Sequence, residues 1–303
     1  MEQPRFVEQT QPETVFGLLS DDNRVEILCT LWDSNEPMRF SELRDAVGLR
    51  DSGQFNYHLD KLTSQFVEKT DQGYVLTTAG RQINGAIEAG SYTTTGEMEP
   101  IEIDQPCGFC GGTRMFYYED EQARVECDTC PVKARFSVPP SAFVGCDRAD
   151  IPRVAAEYMR VTLESIDSGF CSLCDGPVEQ TVCRAVDSED WEEGGSEHEK
   201  TVGRPETLPV VRYECKQCGI EPQGLLNYTL LDHPETVAFY YDHGINLQEQ
   251  SLLDIRQLGR DCGQVQGTDP FRASVSFAVD GDQLTLVVDE DLTVVDTERT
   301  TTG

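Results

Sequence analysis

Lysine is scarce in this chain. Only Lys61, Lys69, Lys133, Lys200 and Lys216 occur in 303 residues, and all basic side chains together number 24 against 55 acidic ones, a net charge of −31. That deficit excludes the broad lysine patch through which many proteins hold polyanions by counterion release. An acidic, lysine-poor surface points to a halophilic protein, because at 1 M salt the Debye length is about 3 Å and self-repulsion hardly matters. Long apolar runs are missing too. No run approaches the roughly 18 apolar residues needed to span a bilayer, and residues 1–15 are polar and acidic, without the apolar region of a signal peptide. The expectation is a cytoplasmic protein with no membrane partner, whose thiols stay reduced. Histidine occurs four times, at His58, His198, His233 and His243, with no metal or catalytic spacing. No phosphate-cradling loop, serine elbow or paired carboxylate stands out, which argues against an enzyme.

Cysteine, by contrast, is plentiful at 12 residues. Cys107-Gly108-Phe109-Cys110 and Cys127-Asp128-Thr129-Cys130 are separated by 16 residues. Two C-x2-C knuckles around a hairpin (Met115 to Tyr118, then Ala123 to Glu126) supply the four thiolates of a tetrahedral zinc site. Cys171-Ser172-Leu173-Cys174 has its partner in Cys215-Lys216-Gln217-Cys218, 40 residues on. Disulfides or buried free thiols are the other readings, and a reducing compartment counts against both. The expectation is therefore two structural Zn2+ sites, Cys107/Cys110/Cys127/Cys130 and Cys171/Cys174/Cys215/Cys218. A closed four-sulfur site leaves no open position for catalysis. Of the remaining thiols, Cys29 sits on an apolar helix face and is expected in a core. Cys183 could replace a thiol of the second set, and a redox or sensing role for Cys146 and Cys262 stays open.

The two modules resemble copies of each other. Arg124-Val125-Glu126-Cys127 parallels Arg212-Tyr213-Glu214-Cys215, and each second knuckle leads through a strand-like run to a helix, at residues 152–158 and 234–240. The second copy carries an acidic insertion at 187–206, read as a solvated loop. Phe271 to Asp296 alternates apolar and polar residues about Asp280-Gly281, which predicts two or three antiparallel strands. Gly259 to Pro270 is read as a loop, and the tail from Thr297 as frayed.

Near the N-terminus, Arg50 to Leu62 reads RDSGQFNYHLDKL. Asp51 or Ser52 can cap a helix, and Phe55, Leu59 and Leu62 form one apolar stripe. The opposite side carries Ser52, Gln54, Asn56, Tyr57 and Lys61, groups able to bond base edges and phosphates. Ser41 to Val47 is a preceding short helix with Leu43, Ala46 and Val47 inward, ended by Gly48. Val25, Leu28 and Leu31 supply a backing helix. Phe66 to Thr70 and Tyr74 to Thr77 form a hairpin about Asp71-Gln72-Gly73, and Thr78 starts a helix with Ala79, Ile83, Ala86 and Ile87 on one face. From Arg39 to Lys61 the charges Arg39, Arg44, Arg50, Lys61 and Glu42, Asp45, Asp51, Asp60 cancel.

With FGLLSDDNRVEIL (Phe16 to Leu28), FSELRDAVG (Phe40 to Gly48), FNYHLDKL (Phe55 to Leu62) and YVLTTAG (Tyr74 to Gly80), in that order, the chain resembles the ArsR-like winged helix-turn-helix transcriptional regulators, here of haloarchaeal type. The resemblance implies sequence-specific binding of double-stranded DNA, usually as a homodimer, with the helix Ser52–Leu62 in the major groove. On that footing Gln54, Asn56 and Tyr57 are expected at bases, with Arg50, Ser52, Lys61 and Lys69 at phosphates. Metal-sensing members carry a paired-cysteine motif in an early helix where this chain has only Cys29, so the resemblance does not extend to arsenic or metal sensing. The face Ala79–Ile87 is a candidate for dimerisation or for packing within one subunit.

The expected architecture is α+β. A winged helix-turn-helix (residues 1–90) and a linker (91–105) precede two zinc-ribbon-like modules with helices (106–168 and 169–303), the second ending in a β-hairpin or meander. The expected function is transcription regulation. The other reading is an adaptor whose winged helix docks onto a protein of the transcription machinery.

Overall fold

The computed structural model describes residues 10–34, 36–90, 92–94, 96–108, 110–130, 133–187, 206–253 and 261–301. The chain divides into two compact units, residues 1–94 and 95–303, and mixes helices with antiparallel sheets. Among the described residues no helix is long and apolar enough to cross a membrane.

In the first unit, α1 (Pro12–Phe16) and a 3-10 turn lead into α2 (Asp22–Ser34), α3 (Phe40–Val47), α4 (Ser52–Leu62), the hairpin β1 (Val67–Lys69) and β2 (Tyr74–Leu76), and α5 (Thr78–Ala89). The helix ends follow from local chemistry. Glu42 accepts the Arg39 N–H at 2.9 Å at the start of α3, and Gly48, at φ +77, ends it in the left-handed region. Asp51, rather than Ser52, caps α4 by accepting the N–H groups of Gly53 and Gln54 at 2.7 and 2.9 Å. The apolar stripes meet in one core. Ile27, Leu28 and Leu31 of α2, Leu43 of α3, Phe55, Leu59 and Leu62 of α4, and Phe66, Val67 and Leu76 are all buried. Ala46, expected inward, is exposed. Ala79 and Ile83 of α5 pack against this core, so that much of the proposed dimer face is used within the unit.

The second unit opens with a four-stranded antiparallel sheet in chain order: β3 (Glu97–Ile103), β4 (Arg114–Glu119), β5 (Gln122–Cys127) and β6 (Lys133–Ser137). The expected linker at 91–105 therefore contains an edge strand. Its ladder with β4 is irregular between Met98 and Ile101, around Pro100, and proline is tolerated at such an edge because no ladder donor is needed there. Helix α6 (Ile151–Asp167) follows, with Pro152 in its first turn. Ala155 and Ile151 of α6 close the first small core over Phe116, Tyr118, Ala123 and Val125.

A second antiparallel sheet, β7 (Val178–Arg184), β8 (Pro209–Cys215) and β9 (Gln223–Leu225), runs into α7 (Leu226–Thr229) and α8 (Pro234–Asp242). Both sheets thus repeat one plan: a strand after the first cysteine pair, a strand running into the second pair, and a third strand after it. Most of the acidic insertion at 187–206 lies outside the described residues.

The chain ends in a four-stranded meander, β10 (Gln264–Thr268), β11 (Phe271–Val279), β12 (Asp282–Val288) and β13 (Val294–Thr300). The turn is at Asp280-Gly281, with φ +52 and +95. Two expectations change here. The loop before Pro270 contains β10, and the tail read as frayed pairs with β12 as far as Thr300. The inward side of the sheet (Val275, Phe277, Leu284, Leu286, Val288) joins Phe239 and Tyr240 of α8 and Tyr213 of β8 in the largest core. Two arginines tie this unit together. Arg114 donates to the Leu253 carbonyl at 2.9 Å, and Arg160 of α6 to that of Gln250 at 2.7 Å.

Candidate metal centres and an exposed helix surface

The repeated plan brings the cysteine pairs together at the ends of their hairpins. Cys107, Cys110, Cys127 and Cys130 form one group and Cys171, Cys174, Cys215 and Cys218 another, the four sulfurs of each lying within 4.8 Å of one another. A zinc-like ion with bonds of about 2.3 Å in a tetrahedron needs sulfur–sulfur edges of about 3.8 Å. The Cys107–Cys130 and Cys110–Cys127 separations are 3.7 and 3.5 Å, and Cys171–Cys218 and Cys174–Cys215 repeat them at 3.7 and 3.5 Å. Sulfurs at disulfide length would lie near 2.05 Å. The donor set, its spacing and its repetition are compatible with two structural metal sites.

The knuckles are shaped to present N–H groups to sulfur. The N–H groups of Gly112 and Thr129 face Cys110 and Cys127 at 3.4 Å, and that of Gln217 faces Cys215 at the same distance. The N–H groups of Cys218 and Gln217 favour the thiolate form of Cys215 and pull it below the ordinary thiol range. One residue after each first pair the backbone turns left-handed, at Gly111 (φ +78) and Asp175 (φ +58). The next residue is glycine in both, and for a steric reason. A Cβ on Gly112 would meet Thr129 Oγ1 at 2.4 Å, and one on Gly176 would meet Gln217 Cβ at 2.5 Å. Only glycine lets the two knuckles close.

Asp128 adds a feature that spacing does not announce. Its carboxylate accepts the Thr129 hydroxyl at 2.6 Å and the Thr113 N–H at 2.9 Å, which hold it below the ordinary range. Beside the second site, Asp167 accepts the Tyr213 hydroxyl at 2.8 Å, and that hydroxyl also bonds Thr229 at 2.7 Å. None of these partners is visible as a motif; only the folded register assembles them. The other thiols stay out of both groups. Cys29 is half-buried rather than a core residue, Cys146 borders the first small core, and Cys183 and Cys262 share a small apolar cluster with Leu208 and Val210.

In the first unit α4 buries Phe55, His58, Leu59 and Leu62. Arg50, Ser52, Gln54, Asn56, Tyr57 and Lys61 are all exposed, and Lys69 is exposed on β1. Tyr57 is 58% exposed, far beyond what a packed tyrosine shows, and Lys61 lies 5.6 Å over its ring. Asn56 donates to Asp60 at 2.7 Å. His58 faces Asp21, 3.4 Å away, and is not on the exposed surface. Lys69 lies 5.7 Å over Tyr74.

Residues 12–87 match the family described as domain of unknown function DUF7347. No curated protein and no solved structure matches the chain. Residues 104–294, the stretch that carries both four-cysteine groups, match the family described as domain of unknown function DUF7351, and the chain belongs to it.

Proposed function

We propose that this protein is a DNA-binding transcription regulator whose second unit is folded around two Zn2+ ions. The helix-turn-helix reading rests on α3, the Gly48 turn and α4, with β1–β2 as the wing. The observation that carries it is the division of α4: every apolar side chain of the Phe55/Leu59/Leu62 stripe is buried, while Gln54, Asn56, Tyr57 and Lys61 are left to solvent. A helix with that division can enter a major groove with its outer side chains at base edges. Gln54, Asn56 and Tyr57 then read bases, and Arg50, Ser52, Lys61 and Lys69 fix the register on phosphates. Zinc is the assignment for the cysteine groups because four thiolates in a tetrahedron suit it and leave no open catalytic position. Metal binding would add folding free energy at the knuckles, where the hairpin ends have little core of their own.

A second reading is an adaptor that docks a protein of the transcription machinery. It draws support from the cancelling charges over residues 39–61 and from the Asn56 amide being engaged by Asp60. Replacing Asn56 by alanine separates the two. If Asn56 reads a base, the variant loses about 1–3 kcal/mol on preferred fragments and much less on others. Equal loss on every sequence refutes base reading by this residue.

A further inference from the structure

The two cysteine groups have the same donors and the same edges but different surroundings. In the second, Cys171 and Cys215 are each 2% exposed and sit against Ile166, Val178, Tyr213, Ile220 and Pro222, while Cys174 is half-exposed and Cys218 exposed. That apolar wall draws on the largest core, to which Ile166 and Tyr213 belong and against which Val178 packs, and it shields two of the four sulfurs. In the first, Cys107 alone is buried, Cys110 is exposed, and Cys127 and Cys130 are half-exposed. Its neighbours there are small or polar: Gly112, Thr113, Asp128 and Thr129.

The residue beside the third sulfur differs as well. The residue after the third cysteine is Asp128 in one copy and Lys216 in the other. Asp128 Oδ1 lies 3.9 Å from Cys127 Sγ, a contact that a thiol makes as a donor. A metal-bound thiolate has no proton to donate, so loading the site turns this contact into one between two anions. In the second copy Lys216 stands at that position, held by Glu214 and Glu179 at 2.7 and 2.9 Å, so the residue after the third cysteine brings no carboxylate to the sulfur there. Outer partners of this kind alter metal affinity, and the shell around a site governs access to it.

We infer that the two centres differ in how firmly they keep their ion: Cys107/Cys110/Cys127/Cys130 is the exchangeable one and Cys171/Cys174/Cys215/Cys218 the permanent one. The sheet β3–β6 is then conditional on metal supply, while the C-terminal core stays folded without it. This makes the first centre a point at which a competing thiol or metal chelator can act on the chain without unfolding all of it.

The inference rests on both groups holding a metal, and the experiment keeps that premise separate. The full chain, loaded with Zn2+ and counted by native mass spectrometry, is mixed with a chromogenic chelator, and cysteines freed over time are alkylated and mapped. The expected result is two release phases at least about tenfold apart. The alkyl label falls on Cys107, Cys110, Cys127 and Cys130 during the first. Asp128→Asn keeps the acceptor for Thr113 while removing the charge, and should slow the fast phase by about tenfold. Simultaneous release, or first labelling of Cys171 and its partners, overturns the inference but leaves the zinc assignment standing. An unchanged fast phase in the Asp128→Asn chain overturns the electrostatic part. A chain that takes up fewer than two ions overturns the zinc assignment and this inference together.

Discussion

Gly176→Ala should weaken the second metal centre without altering a single ligand. The added Cβ would stand 2.5 Å from Gln217 Cβ and 3.2 Å from Cys174 Sγ, whereas unbonded carbons settle at about 3.5–4.0 Å. Relieving the first contact requires the two knuckles to part by about 1 Å, and neither side has slack. Gln217 is fixed by its N–H to Cys215, and Cys174 by its 3.5 Å edge with the same sulfur. Metal–ligand distances tolerate only about 0.2 Å. Overpacking of this kind costs about 1–3 kcal/mol, which at about 1.4 kcal/mol per decade is roughly a 5- to 150-fold loss in metal retention. Competition with a chelator at fixed pH reads the loss directly, and Gly112→Ala should reproduce it at the first centre, where the blocking atom is Thr129 Oγ1 at 2.4 Å. Gly224→Ala, whose Cβ would have 3.6 Å to its nearest neighbour, serves as the control. If Gly176→Ala holds zinc as firmly as the control, the steric account of the knuckles is wrong.

Further outcomes follow from single residues. In α5, Gly85 has open space around it and Gly80 has the Phe66 carbonyl 2.2 Å from its missing Cβ. Gly85→Ala should therefore raise the unfolding free energy read from urea titration by about 0.5–1 kcal/mol, and Gly80→Ala lower it by about 1–3 kcal/mol; equal effects would contradict the packing of α5 on that carbonyl. Burial lifts Asp167 from its ordinary 3.8 to about 6, against the Tyr213 bond. A carboxyl raised by folding supports the native state fully below about 3.8 and loses that support as pH climbs through about 6. At pH 7.5 Asp167→Asn should thus gain about 1–3 kcal/mol in unfolding free energy, the upper figure being the full gap; a loss there would refute it. Asp60→Ala releases the Asn56 amide and removes one negative charge from the α4 face, so affinity for DNA should rise in gel-shift titrations, and weaker binding would count against α4 as the contact.

What the sequence makes legible depends on how local the signal is. Hairpins with both strands and their turn in one short window are readable: β4–β5 about Asp120-Glu121 and β11–β12 about Asp280-Gly281 carry alternation and left-handed turn residues together. The α4 stripe is readable for the same reason, as is the C-x2-C spacing. Strands broken by bulges are not. In β3 the alternation of Met98, Ile101 and Ile103 is thrown out of step by Pro100 and the register shift, and in β10 Gly267 does the same. The last strand is hidden by burial rather than by register. Residues 296–300 on β13 are exposed and polar, so nothing apolar marks them; pairing with β12 and the grip of Arg299 on Asp242 and Glu235 hold them in place. Around the cysteines the ligands are visible in sequence, but Asp128, Gly112 and the Asp167–Tyr213–Thr229 bonds are not. Their roles come from distances between segments that spacing alone does not fix.

Selection of fragments from a genomic DNA library by the zinc-loaded chain, in molar KCl, tests the role of α4 most directly. The proposal requires a small set of enriched fragments sharing a motif, with the enrichment lost in Asn56→Ala. Uniform recovery with no motif would contradict it, and would leave the exposed face of α4 as a surface for protein.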